Sequence, residues 1–228
     1  MTSTTPVTRL QESFLTHITW RHIAGYYRGS PSLFRQYQTE FIATHGGEVT
    51  GEVVELGGDK RYGHAKLFPN ATRFISTNVQ GDFDRYLDVT EMRGVESGSQ
   101  DAYLCVSVLE HVFLFHQAVR EIHRTLKMGG RLILTVPFAY PHHDLVDHWR
   151  FSRDAYPMLF PEYEIVRFVR LGGTFSTVAD MLQRPRGALN RRYAVYKTLG
   201  IVAALLGKYF DTMDGLPLGY GLYAIKRR

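Results

Sequence analysis

Histidines and carboxylates gather at two places in this chain. His111 follows the apolar run Asp101–Leu109, and His142, His143, Asp147 and His148 crowd into a polar, aromatic stretch between 137 and 160. An imidazole or carboxylate within hydrogen-bond reach of a hydroxyl can take its proton, and histidine titrates nearest neutrality. A third stretch, Glu55-Leu56-Gly57-Gly58-Asp59, sets an acid and then glycines at the end of a strand-like run. Glycine lets the backbone turn sharply and approach a ligand, while an acid accepts from ligand hydroxyl or ammonium groups. The stretch is not the dinucleotide pattern G-x-G-x-x-G, because Asp59 follows the glycine pair, and this counts against a nicotinamide dehydrogenase.

The elements that must position these residues follow from periodicity. Residues 9–28 carry Leu10, Phe14, Ile18 and Tyr26 at partly helical spacing, and a second helix is expected over Leu33–Thr44. Short strands and helices then alternate. Strands are expected at Glu52–Leu56, Thr72–Thr77, Asp101–Leu109 and Arg131–Val136. Phe115, Ala118, Val119, Ile122 and Leu126 fall on one helical face, which Gly129-Gly130 is expected to end. Such alternation predicts a parallel sheet with helices on both faces, and ligands in such sheets bind at the carboxyl ends of the strands. That rule points to 55–59, 77–78, 88–90 and 107–111. Further strands are expected at Tyr163–Val169 and Tyr220–Lys226, separated by about 50 residues that include the apolar run Leu199–Leu206.

The chain has 228 residues with 44% hydrophobic and 21% charged side chains, enough for a core and too apolar for a disordered tail. One cysteine, Cys105, excludes an intramolecular disulfide and any cysteine-built metal cluster; mid-strand, it reads as a packing residue. No apolar run reaches the roughly 20 residues needed to span a bilayer. The opening MTSTTPVTRLQES has no apolar h-region, so the expected setting is cytoplasmic. The net charge of +5 is unevenly spread: residues 181–228 hold nine Lys or Arg and two acids, Asp211 and Asp214. This basic stretch lacks a base-stacking array, which argues against nucleic acid and leaves a solvated basic helix or a peripheral membrane contact through 184–208.

Several segments in order resemble the class I S-adenosylmethionine-dependent methyltransferases, in particular the type 11 group: ELGGDKRYG at 55–63, DVT at 88–90, DAYLCVSVLEHV at 101–112 and EIHRTLKMGGRLILTVPF at 121–138. PFAYP, the two histidines and Asp147-x-Trp149-Arg150-Phe151-Ser152 resemble a subgroup associated with polysaccharide or other glycan biosynthesis. The likeness covers about 50–170 and a final strand at 220–226. It implies an α/β, Rossmann-like sheet, mostly parallel with an antiparallel last strand. An N-terminal helical cap over 1–48 and a helical, basic insertion at about 171–215 would lie outside the motifs.

The resemblance also implies roles. Glu55, Gly57 and Gly58 would meet the methionine part of S-adenosylmethionine, with Asp59 a further cofactor contact where many relatives have glycine, and Asn78 would meet its ribose, where relatives usually carry an acid. Asp88 and Val89 would meet adenine, with Ser107 and Val108 on the other side. His111, His142, His143 and Asp147 are the candidate catalytic groups, and Trp149 and Arg150 the candidate acceptor contacts. The structural alternatives stand beside them: His111 closing the strand end, Asp147 and Arg150 as a loop-shaping ion pair, Trp149 packing the loop. His64 and His116 read as surface or helix-end residues. Some methyltransferases hold a divalent ion with E-x-x-E-H; here Ser107 occupies the first position, so no metal is expected. The expected activity is O-methylation of a sugar, glycan-linked or other small-molecule hydroxyl. The alternative is a fold that binds cofactor without transfer and serves as a scaffold or membrane-surface partner.

Overall fold

A computed structural model describes residues 12–15, 18–28, 31–183, 191–211 and 216–227. In chain order the elements are β1 (Glu12–Leu15), α1 (Trp20–Arg28), α2 (Leu33–Gly46), β2 (Gly51–Leu56), β3 (Ala71–Asn78), β4 (Arg85–Tyr86), β5 (Gln100–Val106), α3 (Phe115–Thr125), β6 (Leu126–Pro137), α4 (Tyr156–Leu159), β7 (Tyr163–Leu171), α5 (Thr174–Gln183), α6 (Arg191–Phe210) and β8 (Gly219–Lys226). The eight strands form one sheet in the order β1-β7-β8-β6-β5-β2-β3-β4. β8 runs antiparallel to both neighbours and every other pairing is parallel.

Alternation along the strands divides the core in two. Val54, Tyr103, Cys105, Leu132 and Leu134 face one side, under α3 and α4. Val53, Ala102, Leu104 and Ile133 face the other, with residues of α1, α2, α5 and α6. Gly219 and Gly221 in β8 make room for α2: a Cβ at either position would strike Phe34 or Phe41. Buried Asp211, just past α6, accepts from the backbone N–H groups of Gly173, Phe175 and Ser176, and so caps α5 and ties the two helices together.

Two expectations change. Helical periodicity over 9–28 gives way at Glu12–Leu15 to a strand, which extends the sheet beside β7, so the first 48 residues are not purely a helical cap. α3 ends at Thr125, and β6 begins at Leu126 and runs through Gly129-Gly130. The glycines lie where the β5–β6 register shifts, between Gln100↔Leu126 and Ala102↔Arg131, so they mark an irregular strand start and not the helix end. The insertion between β7 and β8 is the α5–α6 pair, and Leu199–Leu206 lies within α6. Arg184 and Arg186 fall outside the described residues.

Candidate functional site

From β2 the chain steps outward through β3 and β4, and from β5 it steps the other way. The order therefore reverses between β2 and β5, and a crevice is expected outside their carboxyl ends. A cavity of about 690 Å³ opens there, within the range of small-molecule sites. Its wall includes Glu55, Gly57, Asn78, Asp88, Val89, Ser107, Val108, His111 and His143, with Ser32, Phe34, Arg35 and Gln38 contributed by the start of α2.

The turn after β2 is shaped for close approach. Gly57 has φ +64°, and a Cβ there would sit 2.6 Å from Val108 Cγ2. Glu55 is buried and hydrogen-bonds His64 at 2.5 Å. His64 is thus neither a surface nor a helix-end residue: it is buried and lines the cavity. It lies nine positions after Glu55, beyond the strand end and a 3-10 turn, so no periodicity marked the pair. Asp59 does not line the cavity. Arg61 grips both its carboxylate oxygens at 2.9 Å through Nε, and this pairing holds Asp59 down at about 2. Gly58 is likewise absent from the wall: its N–H donates to Thr77 O at 2.9 Å and its carbonyl accepts from Asn78 Nδ2 at 2.9 Å. Asn78 is on the wall, yet its Oδ1 accepts from Val79 N at 2.8 Å, so both ends of the amide already lock the loops together. Asp88 uses Oδ1 to accept from Thr90 N and Oγ1, at 2.8 and 2.7 Å.

On the opposite wall Ser107 adopts φ +53°, a strained value for a residue with a side chain, and its Oγ accepts from Gln38 Nε2 at 2.8 Å. Glu110, three residues on, is 0% exposed. Neither of its carboxylate oxygens has a hydrogen-bond partner among the described residues. Burial pushes this carboxyl up to about 8, with Asp147 raising it and Arg150 opposing. His111 Nε2 lies 3.7 Å from Glu110 Oε1, and His143 Nε2 lies 3.9 Å from it. The two imidazole rings meet edge to face, their centroids 4.8 Å apart.

The loop after β6 places His143. Arg150 holds Asp147 with two bonds, at 2.5 and 2.6 Å, and donates to the carbonyls of Trp149, Tyr140 and Pro141. Asp147 Oδ2 lies 3.2 Å from His143 Nδ1. The Glu110 carbonyl accepts from the N–H groups of His148 and Trp149 and fastens the loop to the end of β5. Trp149 donates to Val112 O and packs edge-on against Phe115. Asp147, Trp149 and Arg150 therefore shape the loop and do not line the cavity, and His142 is exposed and off the wall. Arg150 drives Asp147 below the usual carboxylate range, while burial and the neighbouring His111 lower His143. Cys105 is fully buried, which raises its thiol, and it takes no part in the site.

Comparison with known proteins follows this geometry. A family model described as "Methyltransferase domain" matches residues 43–134. No curated protein matches significantly. Among solved structures, geranyl diphosphate C-methyltransferase from Streptomyces coelicolor A3(2), crystallised with Mg2+, geranyl diphosphate and S-adenosyl-L-homocysteine, aligns at TM-score 0.55 and 16% identity over 85% of this chain and 77% of that one. The [4+2]-cyclase SpnF aligns at 0.54 and 17%, over 83% and 79%. YcgJ from Bacillus subtilis aligns at 0.51 and 14%, over 85% and 99%. The chain has the Rossmann-like fold of the class I methyltransferases, and its stretch from 43 to 134 matches the methyltransferase domain family.

Proposed function

We propose that this protein is an S-adenosylmethionine-dependent methyltransferase acting on a hydroxyl of a small-molecule acceptor, with a sugar or glycan-linked compound as the first class to test. The observation that carries the reading is one cavity at the strand-order reversal with a glycine-cradled wall and an imidazole-lined wall facing each other. The cradle fits the cofactor: Gly57 lacks the Cβ that would meet Val108, and Asp88 keeps Oδ2 for a ligand donor. S-adenosylmethionine, when bound, supplies a methyl group on a sulfonium whose transfer is an in-line displacement. The work of this chain is then to hold the acceptor oxygen close and aligned and to receive its proton.

His143 is suited to the proton. Asp147 is an ionised acceptor, so His143 Nδ1 carries the hydrogen toward it and Nε2 keeps its lone pair. Burial, with the neighbouring His111, lowers the ring's pKa and so favours the unprotonated form that a base needs. The sugar part of the reading rests on the likeness of residues 137–152 to the glycan-associated subgroup.

A second reading, cofactor binding without transfer, is favoured by Asn78, whose amide is engaged by backbone where relatives offer an acid. The fold itself does not decide, since a [4+2]-cyclase shares it. Incubation with methyl-labelled cofactor and a panel of sugars, nucleotide sugars, phenols and amines separates the two. Label transfer to hydroxyl acceptors, reduced about 10²–10⁴-fold in kcat by His143→Asn, supports the first reading. Cofactor binding with no labelled product from any acceptor supports the second.

A further inference from the structure

We propose that Glu110, His111 and His143 bind a divalent transition-metal ion such as Zn2+ or Mn2+. One ligand atom from each of the three lies within 4.8 Å of the others. The His111 Nδ1 contacts the carbonyl of Val146, which can only accept, so that nitrogen carries the hydrogen. The His143 Nδ1 does the same toward Asp147. Both Nε2 atoms therefore present lone pairs, and both point at a buried carboxyl that makes no hydrogen bond of ordinary geometry among the described residues, with the Ser107 hydroxyl and Arg150 the donors near it. At 3.7 and 3.9 Å these contacts are too long for hydrogen bonds. Three potential ligand atoms thus converge with no cation between them among the described residues. Nδ1–H held by a carbonyl or carboxylate, with Nε2 turned inward, is the arrangement that orients metal-bound histidine.

The charge around the cluster agrees. Asp144 Oδ2 is 3.7 Å from His111 Nε2, and the nearby cation, Arg150, is matched by Asp147. Two imidazoles with one carboxylate suit a first-row transition ion better than Mg2+ or Ca2+, which prefer oxygen. Ligand atoms around such an ion stand roughly 3–3.5 Å apart, so the cluster need close by about an ångström. Sequence spacing concealed the site because the third ligand comes from the loop after β6, and Ser107 fills the position where a glutamate was expected. His111 and His143 line the cavity, so an ion there would reach an acceptor oxygen and lower its pKa, taking over in the metal-loaded protein the part given above to the free His143 Nε2. Only that last consequence rests on the methyltransferase reading.

The test uses chelator-stripped full-length protein titrated with Co2+, followed by visible absorption, with Zn2+ competition. One equivalent should bind. Glu110→Gln and His143→Ala should each weaken binding 100-fold or more, while His142→Ala, one residue away and exposed, should not. Thermal unfolding with S-adenosylhomocysteine runs in parallel to report on the fold. No saturable Co2+ binding by wild type, or equal affinity in the Glu110→Gln and His143→Ala variants, overturns the metal site even when the homocysteine response is intact. Metal binding without any homocysteine response sinks the cofactor reading instead.

A separate observation carries a second inference: we infer that the outer face of α1 and α6 docks on an anionic lipid surface. α6 packs against the body with its small residues, Gly200, Ala203, Ala204 and Gly207. Its large apolar residues Val195, Leu199, Val202, Leu206 and Tyr209 face outward instead, beside exposed Trp20 and Tyr27 of α1. Lys197 lies over the Tyr27 ring and Lys208 over that of Trp20, at 4.4 and 4.9 Å. Neither helix contains an acid, and α6 opens with Arg191-Arg192. A symmetric dimer through this face would set its lysines against each other with no acid to pair them, whereas anionic headgroups complement them. Among the described residues no helix is long and apolar enough to cross a membrane, so the contact is peripheral.

Co-sedimentation with phosphatidylcholine vesicles, with and without about 30% phosphatidylglycerol, tests this. Binding should need the anionic lipid, fall with salt, drop about fivefold for each of Lys197→Gln and Lys208→Gln, and vanish in Leu199→Gln/Leu206→Gln. No binding to anionic vesicles overturns the inference. So does a concentration-dependent dimer abolished by the same substitutions, which would assign the face to a second copy.

Discussion

The crevice at the carboxyl ends of β2 and β5 and the outer face of α6 are built on opposite terms. Around the crevice polar groups are held: Arg61 holds Asp59 and Arg150 holds Asp147 behind its wall, and backbone holds both ends of Asn78 on it. Glu110, buried beside it, has a carboxyl that makes no hydrogen bond among the described residues, and the proposed ion would sit against it. On α6 the exception is apolar. The helix is hydrophobic on both sides: Gly200, Ala203, Ala204 and Gly207 pack inward with Ile201 and Leu205, and Val195, Leu199, Val202, Leu206 and Tyr209 face outward. Unsatisfied polarity and uncovered apolar area point to two kinds of partner, an ion or small molecule in the first region and a surface in the second.

The largest effect should come from adjacent positions that behave oppositely. A Cβ at Gly200 would strike the hydroxyl of Tyr26, which is fully buried and donates to Ala179 O at 2.9 Å. Gly200→Val should therefore cost about 2–4 kcal/mol of stability by overpacking, read as a lower midpoint in chemical denaturation. Gly57→Ala comes next. It places a side chain at φ +64° and against Val108, and should cost about 1–3 kcal/mol while removing the thermal response to S-adenosylhomocysteine. A response equal to wild type would mean that this turn does not hold the cofactor.

Asn78→Asp sharpens the comparison further, because it places there the acid that the methyltransferase resemblance implies for a ribose contact. Here it would set a carboxylate oxygen against the Gly58 carbonyl in place of a donated N–H. The account predicts a loss of about 1–2 kcal/mol and weaker cofactor binding; tighter binding in a titration would show that the amide is free to turn to the ligand. The smallest effect belongs to Leu199→Gln, half-exposed on α6. Its stability should stay within about 0.5 kcal/mol of wild type in the same denaturation series. A larger drop would mean that the outward face packs on protein.

Much of the crevice was legible because chemistry restricts residue type. The strand-end rule marked 55–59, 77–78, 88–90 and 107–111, and all four contribute to the cavity wall. The buried strands around β2, β5 and β6 were readable from continuous apolar runs, since both their faces are covered. What escaped depends on tertiary pairing. β1 forms from a segment of helical spacing because β7 offers it a sheet edge. His64 meets Glu55, and His143 meets Glu110, across loops whose course no local pattern sets. Residue type likewise did not separate His142 from His143; in the fold His143 lines the cavity and meets Asp147, and His142 is exposed. The inward face of α6 was hidden because hydropathy does not separate alanine from leucine by where each fits.

The claim that the crevice is a cofactor site is tested most directly by thermal unfolding with and without S-adenosylhomocysteine, on wild type and on Asp88→Ala. At a hundredfold excess over Kd a ligand of the folded state adds about 2.7 kcal/mol. In a chain of this size that should raise the wild-type midpoint by roughly 5–10 °C, and Asp88→Ala should lose most of the rise. An unchanged midpoint at millimolar ligand, or an equal rise in both proteins, would contradict the account.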